Sequence, residues 1–128
     1  MSRHKEYTVK IYEDGTTVWY RCGELHRENG PAIEDANGTK HWYQNGQLHR
    51  EDGPAVEWAD GTKEWWLKGL RHREDGPAFI SPDGDKYWYL NGFDCTEEEF
   101  LKKVAPVKKY TAAELEKLLG HPFEIIKG

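Results

Sequence analysis

Three short strings carry the side chains best suited to chemistry: His26-Arg27-Glu28, His49-Arg50-Glu51 and His72-Arg73-Glu74. Imidazole beside guanidinium suggests two kinds of work. Histidines ligate metal ions, and arginines hold anions such as phosphates. The spacing argues against a metal. The strings recur every 23 residues, and equivalent residues two strands apart in a sheet lie about 9–10 Å from one another. Ligands of one ion sit within about 4 Å of each other. The anion reading meets local neutrality instead. Each Arg precedes a Glu, and Arg50 and Arg73 are followed by Asp52 and Asp75 as well. Two readings stand side by side. In one, His and Arg bond strand-end carbonyls and nearby carboxylates in a structural joint. In the other, His49, Arg50, His72 and Arg73 line a groove for a small anionic ligand.

What positions these strings is a repeat. Trp19, Trp42, Trp65 and Trp88 keep the 23-residue step, as do Gly23, Gly46, Gly69 and Gly92. The pairs Asp14-Gly15, Asn37-Gly38, Asp60-Gly61 and Asp83-Gly84 keep it again. Each unit reads as a hairpin whose Asx-Gly pair suits a two-residue type I′ turn. That turn predicts Val56 opposite Trp65, Ile33 opposite Trp42 and Phe79 opposite Trp88. It sets Tyr43, Trp66 and Tyr89 against Ala32, Ala55 and Ala78 on the other face. The Gly-Pro steps at 30–31, 53–54 and 76–77 read as turns in which Gly allows an unusual backbone angle and Pro fixes entry to the next strand. The expected architecture is mainly β: an antiparallel meander of four hairpins over 1–94. A capping segment over 95–128 completes one compact domain. In that segment Thr96 with Glu99 and Thr111 with Glu114 are capping-box patterns for two helices. "HPFEII" at 121–126 reads as a closing strand.

The text "WYQNGQLHREDGPA", with its 23-residue phase, resembles MORN-type repeats. More closely it resembles the MORN-like repeats of bacterial and phage proteins, over roughly residues 7–94. The His-Arg-x-x-Gly-Pro joint is absent from the ordinary MORN pattern, so no functional residue carries over. The resemblance implies a phage-encoded protein that interferes with a host protein, for instance a defence component.

Composition narrows the field. The formal charge is −5 with acids and bases interleaved, which argues against nucleic acid and anionic membrane as partners. Cys22 and Cys95 lie far apart in unlike contexts, as in a reducing, cytoplasmic setting. The N-terminus is polar, and no apolar run is long enough to span a membrane. There are two serines, no Gly-x-Ser-x-Gly elbow, no phosphate loop and no zinc signature. The chain therefore reads as non-catalytic, without metal or cofactor. Whatever recurs in every unit serves the fold, so specificity is sought where the symmetry breaks. Trp58 fills the slot of Asp35 and Ser81, Arg71 that of Leu25 and Leu48, and Tyr87 that of His41 and Glu64. An aromatic beside an Arg is a protein-binding hot spot, or else these positions have drifted neutrally. The expected function is binding of another protein. The alternatives are a small-ligand binder that sequesters an anionic nucleotide signal, and a structural module that self-associates through its sheet edges.

Overall fold

The computed structural model describes residues 6–104 and 111–119. The described chain is mainly β. Its strands are β1 (Tyr7–Ile11), β2 (Thr17–Arg21), β3 (Glu24–Leu25), β4 (Ile33–Glu34), β5 (Lys40–His41), β6 (Tyr43–Gln44) and β7 (Gln47–Leu48). They continue as β8 (Val56–Glu57), β9 (Lys63–Glu64), β10 (Trp66–Leu67), β11 (Leu70–Arg71), β12 (Phe79–Ile80), β13 (Lys86–Leu90) and β14 (Phe93–Cys95). Helices α1 (Glu97–Val104) and α2 (Ala112–Leu119) follow. The main sheet runs β1-β2-β4-β5-β8-β9-β12-β13-β14, every pair antiparallel. The pairs β6–β7 and β10–β11 form separate two-stranded hairpins beside it, and β3 folds back on β2.

The turns differ from expectation in type. At Asp60-Gly61 the Trp58 N–H donates to the Thr62 carbonyl, and the Gly61 N–H donates to the Trp58 carbonyl. The loop therefore holds three residues, Ala59 to Gly61. Only Gly61 has positive φ, at 98°. The Asp60 carboxylate accepts the Thr62 N–H at 2.9 Å. That bond is made with Asp60 outside the left-handed region, whereas a type I′ turn needs both central residues there. The extra loop residue moves the register by one. Val56 meets Glu64 and Glu57 meets Lys63, while Ile33 meets His41 and Phe79 meets Tyr87. The expected Val56–Trp65, Ile33–Trp42 and Phe79–Trp88 pairs do not form.

The type I′ geometry sits one turn further along. Cys22-Gly23, Asn45-Gly46, Lys68-Gly69 and Asn91-Gly92 all have positive φ at both residues. They close the short hairpins, where Tyr20 meets Leu25, Tyr43 meets Leu48 and Trp66 meets Arg71. Tyr89 meets Asp94 across the last of these turns, so the aromatic partners are Leu, Arg or Asp rather than Ala. Ala32, Ala55 and Ala78 are instead fully buried, and each carbonyl accepts the N–H of the preceding Trp19, Trp42 or Trp65 at 2.7–2.8 Å.

Register sorts the two faces, since directly opposed residues share one. One face carries the row Val18, Ile33, His41, Val56, Glu64, Phe79, Tyr87. The other carries Thr17, Glu34, Lys40, Glu57, Lys63, Ile80, Lys86. On this second face unlike charges sit opposite one another through the middle of the sheet, from Glu34 to Lys63, which stabilises the pairing.

At the C-terminal end both capping boxes form. The Thr96 N–H donates to Glu99 and the Glu99 N–H to the Thr96 hydroxyl, at 2.9 and 3.1 Å. Thr111 and Glu114 repeat the exchange at 2.8 and 3.1 Å. Helix α1 lies against β13 with Phe100 buried. The expected strand at 121–126 and the 105–110 linker lie outside the described residues. No described helix is long and apolar enough to cross a membrane.

Candidate functional site

The joints and the symmetry-breaking residues lie on opposite faces, and they behave differently. In each joint the His ring links two units. Nδ1 of His26, His49 and His72 accepts the N–H of Asn45, Lys68 and Asn91, each at 2.9 Å. Those are the first residues of the next unit's type I′ turn. An Nδ1 that accepts leaves the proton on Nε2. The Nε2 of His49 and His72 lies 3.3 and 3.0 Å from Glu51 and Glu74. His26 is almost fully buried, with Nε2 3.5 Å from Glu28.

The joint arginines are committed too. Arg27, Arg50 and Arg73 stack on Trp19, Trp42 and Trp65 at 4.0, 3.9 and 3.9 Å from the ring centroids. Each donates to the carbonyl of Pro31, Pro54 or Pro77. Arg50 also bonds Asp52 and Glu57, and Arg73 bonds Asp75. That guanidinium explains the glycine of the joint. A Cβ on Gly53 would lie 3.0 Å from the Arg50 Cζ, and one on Gly76 2.9 Å from the Arg73 Cζ. Neither glycine has positive φ. The expected unusual backbone angle is absent, and close approach is the requirement. Open grooves of about 680 and 490 Å³ run between neighbouring joints. Beside His49, Arg50, His72 and Arg73 they are lined by Glu28, Glu51, Asp52, Glu74 and Asp75. Among the described residues no three His, Cys, Asp or Glu side chains converge to hold a metal.

On the other face Trp58, Arg71 and Tyr87 converge. The Glu64 carboxylate is the hub. It accepts the Trp58 indole N–H at 2.6 Å, the Trp66 indole N–H at 3.0 Å and Arg71 Nη2 at 2.8 Å. Burial raises the Glu64 pKa, but these three donors and the Arg71 charge outweigh it, leaving the carboxyl below its ordinary value. The Arg71 guanidinium lies 4.9 Å from the Trp66 and Tyr89 ring centroids and 5.5 Å from that of Phe79. Phe79 in turn packs on Tyr87, their centroids 5.6 Å apart. His41 meets Trp58 edge-on at 5.7 Å. The neighbouring units show what was replaced. The Trp58–Glu64 slots hold Asp35 and His41 one unit earlier, 3.4 Å apart, and Ser81 and Tyr87 one unit later.

Glu64, Trp66, Phe79 and Tyr89 are not singled out by sequence reasoning. A register one residue off sets Glu64 opposite Glu57, on the wrong neighbours. The available signal was that Glu64 is the sole acid in a slot otherwise held by Val18, His41 and Tyr87. No protein-family model, curated protein or solved structure matches the chain.

Proposed function

We propose that the chain is a MORN-like hairpin array that binds another protein without catalysis, through the face centred on Trp58, Arg71 and Tyr87. One observation carries this reading: two of the three symmetry-breaking side chains bond one buried carboxylate, and the third packs against the same cluster. Trp58 and Tyr87 are 43% and 52% exposed. They present aromatic area beside an Arg, the composition of binding hot spots. The Arg71 Nε is buried with no acceptor among the described residues.

The anionic-ligand reading is weaker for a physical reason. The joint arginines already face carboxylates and carbonyls, and the added acids of the grooves repel a nucleotide phosphate. Interference with a host defence protein in the host cytoplasm is the specific form of the first reading, and it rests on the sequence resemblance.

The test is quantitative capture of a co-purifying chain. Trp58→Ala and Tyr87→Ala should each weaken binding by about 2 kcal/mol, roughly thirtyfold, with the far-UV spectrum unchanged. Undiminished capture by both variants would remove the patch from the interface. A bound mass of a few hundred daltons on the native protein would favour the small-ligand reading instead.

A further inference from the structure

Every first strand of the array has a paired neighbour on each side, except one. β4 lies between β2 and β5, β8 between β5 and β9, and β12 between β9 and β13. Among the described residues β1 pairs with β2 alone. Its inner ladder is complete over Tyr7–Ile11, so its outer edge is long and regular. The phase of that edge follows from the turn. The Tyr12 N–H donates to the Thr16 carbonyl, and bonded pairs alternate along an antiparallel ladder. Lys10 and Thr8 therefore bond toward β2, while the N–H and C=O groups of Tyr7, Val9 and Ile11 point outward. Their side chains share the Trp19 face, where Val9 is 39% and Ile11 76% exposed. An exposed edge that carries apolar side chains in this way templates an added strand.

We propose that β1 pairs antiparallel with β1 of a second copy of this chain, centred on Val9, so that two sheets join across a two-fold axis. The strand is self-complementary in that register. Val9 meets Val9 of the second copy, Tyr7 meets Ile11, and Thr8 meets Lys10. Lysine does not oppose lysine directly; Glu6 and Lys10 of the second copy both fall diagonally beside Lys10, within about 7–8 Å. The opposite end of the sheet finishes in β14, only three residues long and followed directly by α1, which lies on β13 with Phe100 buried. Of the two terminal strands among the described residues β1 is the longer, and its pairing with itself closes after two copies rather than growing head to tail. The dimer uses none of the Trp58 patch.

Sedimentation velocity of the untagged full chain tests this from micromolar to near-millimolar concentration. The mass should rise with concentration from 14.9 kDa to twice that value. Val9→Pro removes an outward donor that β2 does not use, and should stay monomeric throughout with its far-UV spectrum intact. Thr8→Lys, which sets like charges opposite Lys10, should weaken dimerisation at least on the order of tenfold. Adding Lys10→Glu to it should restore pairing. Trp58→Ala should dimerise as the parent does, separating this result from any failure of the partner-binding reading. A parent chain that remains at 14.9 kDa overturns the proposal, as does a dimer indifferent to Thr8→Lys. A foreign chain bound on this edge, and lost with Val9→Pro, would overturn self-pairing in favour of a heterologous strand.

Discussion

The carboxylate of Glu64 shows how one residue departs from its repeat. In the same cross-sheet row Val18, Ile33 and Val56 are apolar, yet Glu64 is 8% exposed. A charge there persists because three donors surround it; an unpaired one would cost several kcal/mol. The sign of its pH linkage follows from its lowered pKa. The carboxyl lies below its ordinary value of 4.5, so its stabilising contribution is present above that value. The contribution is lost as pH falls through the lower folded-state value. We expect Glu64→Gln to be less stable than the parent at neutral pH, with the gap closing as pH falls below the ordinary value of 4.5. Urea midpoints across that range check it, and a gap independent of pH would contradict it. The joint glycines are the other residue-level lesson. Gly53 and Gly76 are small because a guanidinium lies on them, not because the backbone is unusual.

At the scale of elements, two glycine turns alternate, and each imposes its own chemistry. In the Asx-Gly loops the side-chain oxygen of Asp14, Asn37 or Asp60 accepts the Thr N–H two residues on. They also stack sideways. The Ala36 N–H donates to the Thr16 hydroxyl and the Ala59 N–H to that of Thr39. The next position in that ladder is Pro82, which has no N–H to give. The type I′ turns demand positive φ at a non-glycine residue. Asn45 and Asn91 tolerate it, whereas Lys68 adopts φ 49° against its preference. Lys68→Asn should therefore raise unfolding stability by about 0.5–1 kcal/mol, read as a higher urea midpoint at constant m. No gain would mean that contacts of the Lys68 stem offset the backbone relief.

For the whole molecule, cohesion passes from unit to unit through repeated lateral bonds. His Nδ1 accepts from the next turn, Ala accepts from Trp, and the backbone N–H groups of Arg27 and Arg50 donate to the carbonyls of Tyr43 and Trp66. Such a stack is held by nearest-neighbour contacts, so damage at a central joint should divide it. Gly53→Ala pushes a Cβ to 3.0 Å from the Arg50 Cζ and should displace the guanidinium from Trp42. We expect a loss of about 1–2 kcal/mol and a lower apparent m, as the two halves cease to unfold together. A shifted midpoint with unchanged m would show that the array remains one cooperative unit.

Much of this was legible in sequence. The 23-residue step, the antiparallel β character, the positions of the turns and both capping boxes are local signals, set by Gly, Asx, Thr and Glu chemistry within a few residues. The same step exposed Trp58, Arg71 and Tyr87 as its exceptions. Tertiary structure decided what local chemistry leaves degenerate. An Asx-Gly pair suits a two-residue or a three-residue loop, and one extra residue changes every cross-strand partner. Whether Glu64 faces Glu57 or joins Trp58, Trp66 and Arg71 depends on that count. So does the distinction between a joint that holds the array together and a patch left exposed on its other face.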